Sequence, residues 1–222
     1  MLRYLLANSE LSTLLRFVSP RFFKVASPKD IASVAAAIRA SAKDAAALEA
    51  LATDNAWMAA SVSGTLPEQV LELYFRQVAT RARWSLDFRA SAFEPLHWTP
   101  AEYFYDFDPP FLNGVRALYR GFYGTDDLTF RAGLKALGLE SAEAALRRQF
   151  GEGDQTAVRF SLATFQRNFA DVFEACATAG VKLQPGFFVL GMALLSLYEH
   201  LEGLGGTYDV RACFERGFKG PE

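Results

Sequence analysis

The sequence has few of the features that mark a secreted or membrane protein. It contains only two cysteines, Cys176 and Cys213, which give no disulfide framework and fit a reducing compartment. Residues 1–8 lack the long apolar region and the small-residue cleavage site of a signal peptide. The longest apolar run, 187–198, is shorter than the roughly 20 residues that span a bilayer. We therefore expect a cytoplasmic protein with no transmembrane segment.

An excess of positive charge is also missing. The chain carries 23 lysines and arginines against 25 aspartates and glutamates, a formal net charge of −2. The densest basic groups lie in helix-like segments that also carry acids, which indicates solvated faces: Arg76, Arg81 and Arg83, then Arg147 and Arg148. A nucleic-acid-binding protein presents a basic stripe to the phosphate backbone. We therefore expect no nucleic-acid partner.

The residues and motifs of nucleophilic catalysis are scarce as well. Only two histidines, His97 and His200, are present, and there is neither a Gly-x-Ser-x-Gly elbow nor a Gly-Lys-Ser/Thr phosphate-binding loop. Cys176 lies in an Ala-rich apolar segment, which favours a small buried residue over a nucleophile paired with His200. His200, near the end of a long predicted helix, is expected to cap carbonyl groups. These absences favour a protein that is not an enzyme, and no cofactor is predicted.

What the sequence does contain is a regular set of helix start signals. Three segments place a hydroxyl at the N-cap, a proline in the first turn and an acid three residues after the hydroxyl: Ser27-Pro28-Lys29-Asp30, Thr65-Leu66-Pro67-Glu68 and Thr99-Pro100-Ala101-Glu102. The hydroxyl accepts from amides of the first turn, and the acid lies at the positive end of the helix. Each segment therefore predicts the beginning of a helix.

Glycines mark the predicted ends of the helices. Gly64, Gly124, Gly138, Gly180 and Gly203 each follow a segment of helical period, where glycine can take the left-handed conformation of a C-cap. No alternating strand run between hairpin turns is recognisable. The predicted fold class is all-α, a multi-helix globular bundle of about nine helices. The predicted ranges are 10–18, 28–41, 43–61, 67–83, 110–123, 126–137, 142–150, 155–178 and 186–203.

Residues 84–110 interrupt this helical pattern. The segment is rich in aromatic residues and proline, and its helical period is poor. We interpret it as an ordered connector between an N-terminal helical subdomain, 1–83, and a C-terminal helical subdomain, 111–222. The alternative is that the whole chain forms a single domain.

Aromatic residues are the most suggestive feature of this connector and of the helix that follows it. One interpretation is that their rings fill the core between the two subdomains. The other is a pocket for an apolar ligand, in which tyrosine hydroxyls and Asp106 orient the bound molecule. The candidate ligand-binding residues are Trp98, Tyr103, Tyr105, Asp106, Phe107, Phe111 and Tyr119.

The connector also holds candidate metal ligands. Glu94 and His97 have the spacing of a Glu-x-x-His pair on a helix, and Asp106 and Asp108 could complete a site for a hard metal ion. Pro95 lies within the pair and disfavours a mid-helix geometry, and no second Glu-x-x-His motif is present. The alternative interpretation is that these acids are helix caps and surface groups.

From about Tyr105 onward the sequence resembles a known family. The run Tyr105-Asp106-Phe107-Asp108 is similar to an Asp-Phe-Gly motif with the glycine replaced. Further similar segments are Gly124-Thr125-Asp126-Asp127, Leu134-Lys135-Ala136-Leu137-Gly138, Gly180-Val181-Lys182-Leu183-Gln184-Pro185 and Tyr208-Asp209-Val210. Together they resemble the C-terminal helical part of the AarF/UbiB atypical kinase-like family, which is linked to isoprenoid-quinone biosynthesis.

The resemblance covers about half of the chain and omits the kinase core. The residues before Asp106 show no nucleotide-binding loop, no catalytic-loop aspartate with a downstream asparagine, and no Lys-x-Gly-Gln signature. The resemblance therefore implies a degenerate relative without phosphoryl transfer, whose helical part binds a lipid-like molecule or a protein.

Three functional hypotheses remain after these exclusions. The first is a non-catalytic helical module that binds a protein partner or self-associates, which predicts a large exposed apolar patch. The second is a carrier or sensor of an apolar, isoprenoid-like small molecule, which predicts a deep apolar cavity near Trp98 and Phe111. The third is an enzyme, with or without a metal, in which at least three of the four candidate metal ligands converge in one cleft.

Overall fold

The computed structural model describes residues 22–62, 64–86, 90–91, 97–98, 102–150 and 157–219. Short strands and a 3-10 turn accompany the helices in this part of the chain. The helices are α1 (Phe22–Val25), α2 (Pro28–Ser41), α3 (Ala45–Ala59), α4 (Leu66–Thr80), α5 (Pro109–Tyr123), α6 (Asp127–Leu137), α7 (Glu143–Phe150), α8 (Leu162–Thr178), α9 (Pro185–Leu204) and α10 (Val210–Lys219). The strands are β1 (Arg83–Ser85), β2 (Ala90–Ser91), β3 (His97–Trp98) and β4 (Phe104–Asp106), and the 3-10 turn is Glu140–Ala142. The all-α fold class is confirmed.

Most predicted helices agree with the structure to within a few residues. The helix predicted over 155–178 begins only at Leu162, because the chain before it is extended and Val158 pairs with Tyr208. The helix predicted over 67–83 ends at Thr80, since the chain turns there into β1. α1 and α10 are absent from the prediction, and the helix predicted over 10–18 lies outside the described residues.

The helix starts predicted at Ser27 and Thr65 are confirmed, although the Ser27 side chain makes no capping hydrogen bond. The Thr65 amide donates to Oε2 of Glu68 over 2.9 Å, and the Thr65 hydroxyl donates to the same oxygen over 2.8 Å. The hydrogen bond from this amide holds the pKa of Glu68 below its usual value. The helix predicted to begin at Thr99 is wrong: residues 102–106 contain a bend followed by β4.

Glycine ends some helices as predicted and not others. Gly138 follows α6 with a φ of 71°, the left-handed conformation that glycine adopts without a steric penalty. Gly124 follows α5 with a φ of −83°, so the left-handed cap predicted there is wrong. Gly203 lies inside α9, and Gly205 follows that helix instead, with a φ of 68°.

The connector contains paired strands, which the prediction lacked. β1 pairs with β4 in an antiparallel arrangement that places Trp84 opposite Tyr105. β1 is also attached to α4, because the Gln77 side chain accepts from the Ser85 amide at 3.1 Å and donates to the Ser85 carbonyl at 3.4 Å. These contacts set the path of the chain between α4 and α5.

α5 and α6 pack with almost no space between their backbones. A Cβ atom added to Gly121 would lie 2.1 Å from the amide nitrogen of Phe130, and one added to Gly133 would lie 2.5 Å from that of Leu118. Only glycine fits at such a distance. The close pair places one face of α5, with Tyr119 and Tyr123, in the core.

Buried apolar side chains from most of the described helices form one main cluster. It extends from Val25 to Phe214 and includes Trp84 of the connector, so residues of both predicted subdomains belong to it. α10, the last helix, packs against α4, where a Cβ on Gly217 would lie 2.6 Å from Cβ of Phe75. The two ends of the described chain therefore share one core.

A buried ion pair lies at the contact between α4 and α10. Glu72 is 2% exposed and Arg76 is 7% exposed. Oε1 of Glu72 accepts from Arg76 at 2.7 Å, and Oε2 accepts from Arg216 at 2.9 Å. The prediction that Arg76 lies on a solvated face is therefore wrong.

Within the described ranges, α9 is long and apolar enough to cross a membrane by length and composition. Half of its most apolar window is buried inside the protein. The core helix of a soluble protein shows the same combination of length and hydropathy, so the helix alone is weak evidence for a membrane span.

Candidate functional site

A cavity lies in the helical core, between α4, α5 and α9. Its volume is about 60 Å³, less than half of the roughly 150 Å³ cavity that holds benzene in another protein. Three of its lining side chains, those of Val158, Leu194 and Tyr198, are partly exposed, whereas the other lining side chains are buried. The side of the cavity nearest to solvent therefore lies beside these three residues, and we call this side the opening. The cavity therefore suits a slender group, such as one end of a chain molecule, that enters between these three side chains.

The walls of the cavity are apolar and rich in aromatic rings. Leucines and valines supply the remaining surface, mostly from α4, α5, α6, α7, α9 and α10, with Leu139 and Val158 from the segments between helices. Among the described residues, no charged side chain lines it. The aromatic lining residues are Tyr74, Phe75, Tyr119, Tyr123, Phe160, Phe169, Phe187 and Tyr198.

Two tyrosine hydroxyls meet inside this apolar surface. The Oη atoms of Tyr74 and Tyr119 are 2.6 Å apart, and both side chains are buried. Burial raises the pKa of Tyr74 and of Tyr119 well above the usual value for tyrosine. Burial does the same to the pKa of Tyr123. These hydroxyls therefore stay protonated and uncharged at physiological pH.

Helical spacing explains how these side chains come together. On α4, Leu71, Tyr74 and Phe75 follow the i, i+3, i+4 pattern of one buried face. On α5, Tyr119 and Tyr123 are four residues apart, so their rings stack with centroids separated by 6.3 Å. The two helices thus bring their hydroxyl-bearing faces into direct contact in the wall of the cavity.

The opening of the cavity is bordered by an extended segment, 157–161. Val158 and Tyr208 exchange two backbone hydrogen bonds of 2.9 Å each, which attach this segment to the chain before α10. The Phe160 ring contacts the Tyr198 ring edge-on, with centroids 4.8 Å apart. Tyr198 also packs against Phe165 of α8, at 4.7 Å. The border of the opening therefore consists mainly of aromatic contacts between segments that are distant in sequence.

Of the predicted ligand-binding residues, Tyr119 lines this cavity. Phe107 and Phe111 are buried and stack on each other with centroids 5.7 Å apart, as the core-filling interpretation expected. Tyr103 and Tyr105 are partly buried and pack against the same core. Trp98 belongs to β3, and its side chain lies outside the described part of the structure.

Asp106 is engaged in an ion pair rather than facing the cavity. Its Oδ1 accepts from Nε of Arg83 at 2.7 Å, and its Oδ2 accepts from Nη2 at 2.8 Å. This bidentate contact joins β1 to β4. The Arg83 guanidinium also lies over the Phe104 ring, 4.2 Å from its centroid. Both carboxylate oxygens of Asp106 thus support the strand pair.

The structure places only part of the predicted metal site. Glu94 lies outside the described residues, and His97 belongs to β3 with a side chain that is not described. Asp108 is exposed at the N-cap of α5. Among the residues that are described, no group of three histidine, cysteine, aspartate or glutamate side chains could hold a metal ion. The metal site stays a prediction.

Both cysteines are buried and form no disulfide. The prediction that Cys176 is a small buried core residue is confirmed, and Oγ of Ser141 lies 4.0 Å from its sulfur. Burial raises the pKa of Cys176 and raises that of Cys213 to about 12. Buried thiols of raised pKa are poor nucleophiles.

Sequence analysis missed three of the four tyrosines of the cavity: Tyr74, Tyr123 and Tyr198. Tyr123 has a usable signal, because it lies four residues after Tyr119 on the same predicted helix. Tyr74 lies in an apolar helical stripe, where an aromatic residue has the same pattern whether it fills a core or lines a cavity. No comparison with known proteins supplies a further guide: no protein-family model, curated protein or solved structure matches the chain.

Proposed function

We propose that this protein is a non-catalytic binding module that holds one end of a slender, mainly apolar small molecule in the tyrosine-lined cavity. The observation that carries the proposal is a buried, hydrogen-bonded pair of tyrosines in the lining of a largely apolar cavity whose border is partly exposed. Small-molecule sites combine apolar walls with a few polar groups that orient the ligand. The resemblance to the AarF/UbiB family implies a helical part that binds a lipid-like molecule or a protein, and the first of these alternatives is compatible with this proposal.

The energetics of packing support the same proposal. Protein interiors are filled to the density of organic crystals, so a void in the core needs an explanation. At about 24 cal/mol per Å³, an empty cavity of 60 Å³ lowers stability by roughly 1.4 kcal/mol. A ligand that fills the space recovers this contribution, and filling by a ligand is favoured where the walls are apolar.

The distribution of exposed apolar side chains gives less support to a protein-binding module. In the part of the chain that is described, the large apolar side chains that are exposed are Trp57, Leu128 and Leu204. They lie on α3, α6 and α9, so none of these helices presents an exposed stripe of large apolar residues. The hypothesis of a protein partner or of self-association stays a prediction, as do the cytoplasmic location and the absence of a nucleic-acid partner.

A variant that blocks the opening tests the proposal. Leu194→Trp enlarges a side chain at the border of the cavity, and we expect it to abolish binding because the indole occupies the opening. Leu204→Trp is the matched control on the same helix, at a position that is 38% exposed. Binding is measured by calorimetric titration with heptan-1-ol and by extraction and mass spectrometry of the purified protein.

Wild type and Leu204→Trp should bind the alcohol equally well, and Leu194→Trp should not bind it. Thermal melting of each protein shows whether it is folded. If the folded wild type neither binds the alcohol nor retains an extractable apolar molecule, the cavity is not a ligand site. Equal binding by Leu194→Trp would place the site elsewhere.

A further inference from the structure

We infer that the cavity selects a ligand whose inner end is uncharged and carries a neutral oxygen-containing group, such as a hydroxyl or a carbonyl, and that it rejects a carboxylate of the same chain length. This inference rests on the proposed function and specifies the chemical class of the ligand. It follows from the walls, from the tyrosine pair and from the positions of the nearest cations.

The walls offer nothing that balances a charge. In the described part of the lining all side chains are aliphatic or aromatic, and the polar atoms that these side chains contribute are tyrosine hydroxyls. Burying an ionised carboxylate in such a place is costly unless a cation or several strong donors meet it. Burying a neutral oxygen costs much less free energy, because one hydrogen bond replaces most of its lost hydration.

The tyrosine pair suits a neutral oxygen. A hydroxyl both donates and accepts, so the Tyr74–Tyr119 pair can bond to an alcohol or to a ketone by reorienting its protons. The same pair supplies no positive charge, since a protonated tyrosine is neutral. The site therefore recognises the oxygen by hydrogen bonding and not by charge.

Five arginines lie next to lining residues in the sequence, and none of them is part of the described lining: Arg76, Arg120, Arg147, Arg159 and Arg211. The two that lie beside lining aromatic residues of α4 and α5 are directed elsewhere. Arg76 follows Phe75 on α4, but its Nη2 donates to Glu72 at 2.7 Å and its Nη1 donates to the Ser61 hydroxyl. Arg120 follows Tyr119 on α5, is exposed, and lies over the Phe218 ring, 5.6 Å from its centroid. Neither guanidinium lines the cavity. The described lining thus contains no positive charge, although arginines lie next to it in the sequence.

Three probes that share a seven-carbon chain test the inference on the full-length protein: heptan-1-ol, sodium heptanoate and methyl heptanoate, each titrated by calorimetry at pH 7. We expect heptanoate to bind at least about tenfold more weakly than the alcohol, since burying its charge is unfavourable. The methyl ester restores neutrality while keeping the carbonyl, and it should bind within about threefold of the alcohol.

A hydroxyl-deletion variant adds a second measurement. Tyr119→Phe removes one hydroxyl of the pair. It should weaken the binding of the alcohol by about fivefold, which is the effect of losing one hydrogen bond. Tyr105→Phe is the matched control, because Tyr105 is partly buried but does not line the cavity. An unchanged affinity in Tyr119→Phe would contradict recognition of the oxygen by this pair.

The outcomes separate the two proposals. If heptanoate binds as tightly as heptan-1-ol, selection for a neutral ligand is wrong, while the cavity remains a ligand site. If the ester is rejected as strongly as heptanoate, discrimination follows shape and not charge, which also overturns the inference. If none of the three probes binds the folded protein, the proposed function itself fails.

Discussion

Glu72 joins α4 to α10 through a buried ion pair. Its carboxylate is almost fully buried and binds two guanidinium groups, one on its own helix and one on α10. A buried charge is tolerated only when it is paired, and removing one member of the pair leaves the other uncompensated. The contribution of Glu72 is therefore best seen by removing its charge.

We expect Glu72→Gln to lower the free energy of unfolding by about 3 kcal/mol, because the buried Arg76 loses its counterion. Urea denaturation followed by tryptophan fluorescence measures the change. Asp171→Asn is the control: it removes the exposed ion pair between Asp171 and Arg148, 3.0 Å apart, which should alter stability by less than about 1 kcal/mol. Similar effects of the two variants would show that Glu72 is not held as a buried, paired charge.

Sequence patterns do not distinguish Glu72 and Arg76 from an exposed ion pair, for a physical reason. Glu72 and Arg76 are four residues apart on a helix, the spacing of an ordinary surface ion pair. What buries them is α10, which comes from the other end of the chain. The cavity presents the same difficulty: Tyr119 could be predicted within an aromatic cluster, whereas the contact with Tyr74 depends on how α4 and α5 face each other.

At the scale of elements, α5 and α6 pack so closely that two of their positions have no room for an added methyl group. Gly121 and Gly133 bring the two backbones so close that a Cβ on either would overlap backbone atoms of the other helix. Backbone atoms cannot move aside as the end of a flexible side chain can, so a larger residue must separate the helices. α5 carries Tyr119 and Tyr123 into the cavity, and separating the pair would displace them.

We expect Gly121→Ala to lower the free energy of unfolding by about 3 kcal/mol, at the upper end of overpacking effects. The matched control is Gly203→Ala, at a helical position where an added Cβ meets nothing within 4 Å. There alanine should raise stability by about 0.5 to 1 kcal/mol, because it has less conformational freedom to lose on folding. Thermal melting measures both, and a neutral Gly121→Ala would contradict the close approach of the two helices.

The elements that local chemistry defines are the ones that could be predicted. α2 has its predicted bounds, 28–41, since Pro28 follows an extended Ser27 and apolar residues recur with the helical period. β1 and β4 could not be predicted, because three-residue strands are too short to show alternation. Their pairing depends on Arg83 meeting Asp106 across a long connection. The extended segment 157–161 was not predicted either, because it is held by pairing with Tyr208, which is distant in sequence.

At the scale of the whole molecule, the question is whether the two predicted subdomains unfold separately. The main cluster of buried side chains runs from Val25 to Phe214, and α4 packs against α10 across the two predicted subdomains. Independent domains need cores of their own, with few contacts across a flexible linker. In addition, Arg116 of α5 donates to the carbonyls of Val78 and Arg81, at 2.8 and 3.1 Å, at the end of α4. These contacts favour one cooperative unit.

We therefore expect a single urea transition that is the same for probes on either side of residue 110. The three tryptophans, Trp57, Trp84 and Trp98, report on the first part of the chain, and the thiols of Cys176 and Cys213 report on the second. Both thiols are buried, so a thiol reagent modifies them only when the core opens. Coincident midpoints for fluorescence and for thiol labelling are the mark of two-state unfolding.

The Glu72→Gln variant makes this test more demanding. If the core is one unit, weakening the contact between α4 and α10 shifts the fluorescence and thiol-labelling midpoints together, because no part of the molecule keeps its stability without the other. If the subdomains were independent, labelling at Cys176 would keep its wild-type midpoint while the fluorescence transition moved. Replacing Cys213 with alanine in both proteins isolates the signal of Cys176, which lies on α8, away from the altered contact. A split between the two midpoints would restore the boundary predicted at the connector.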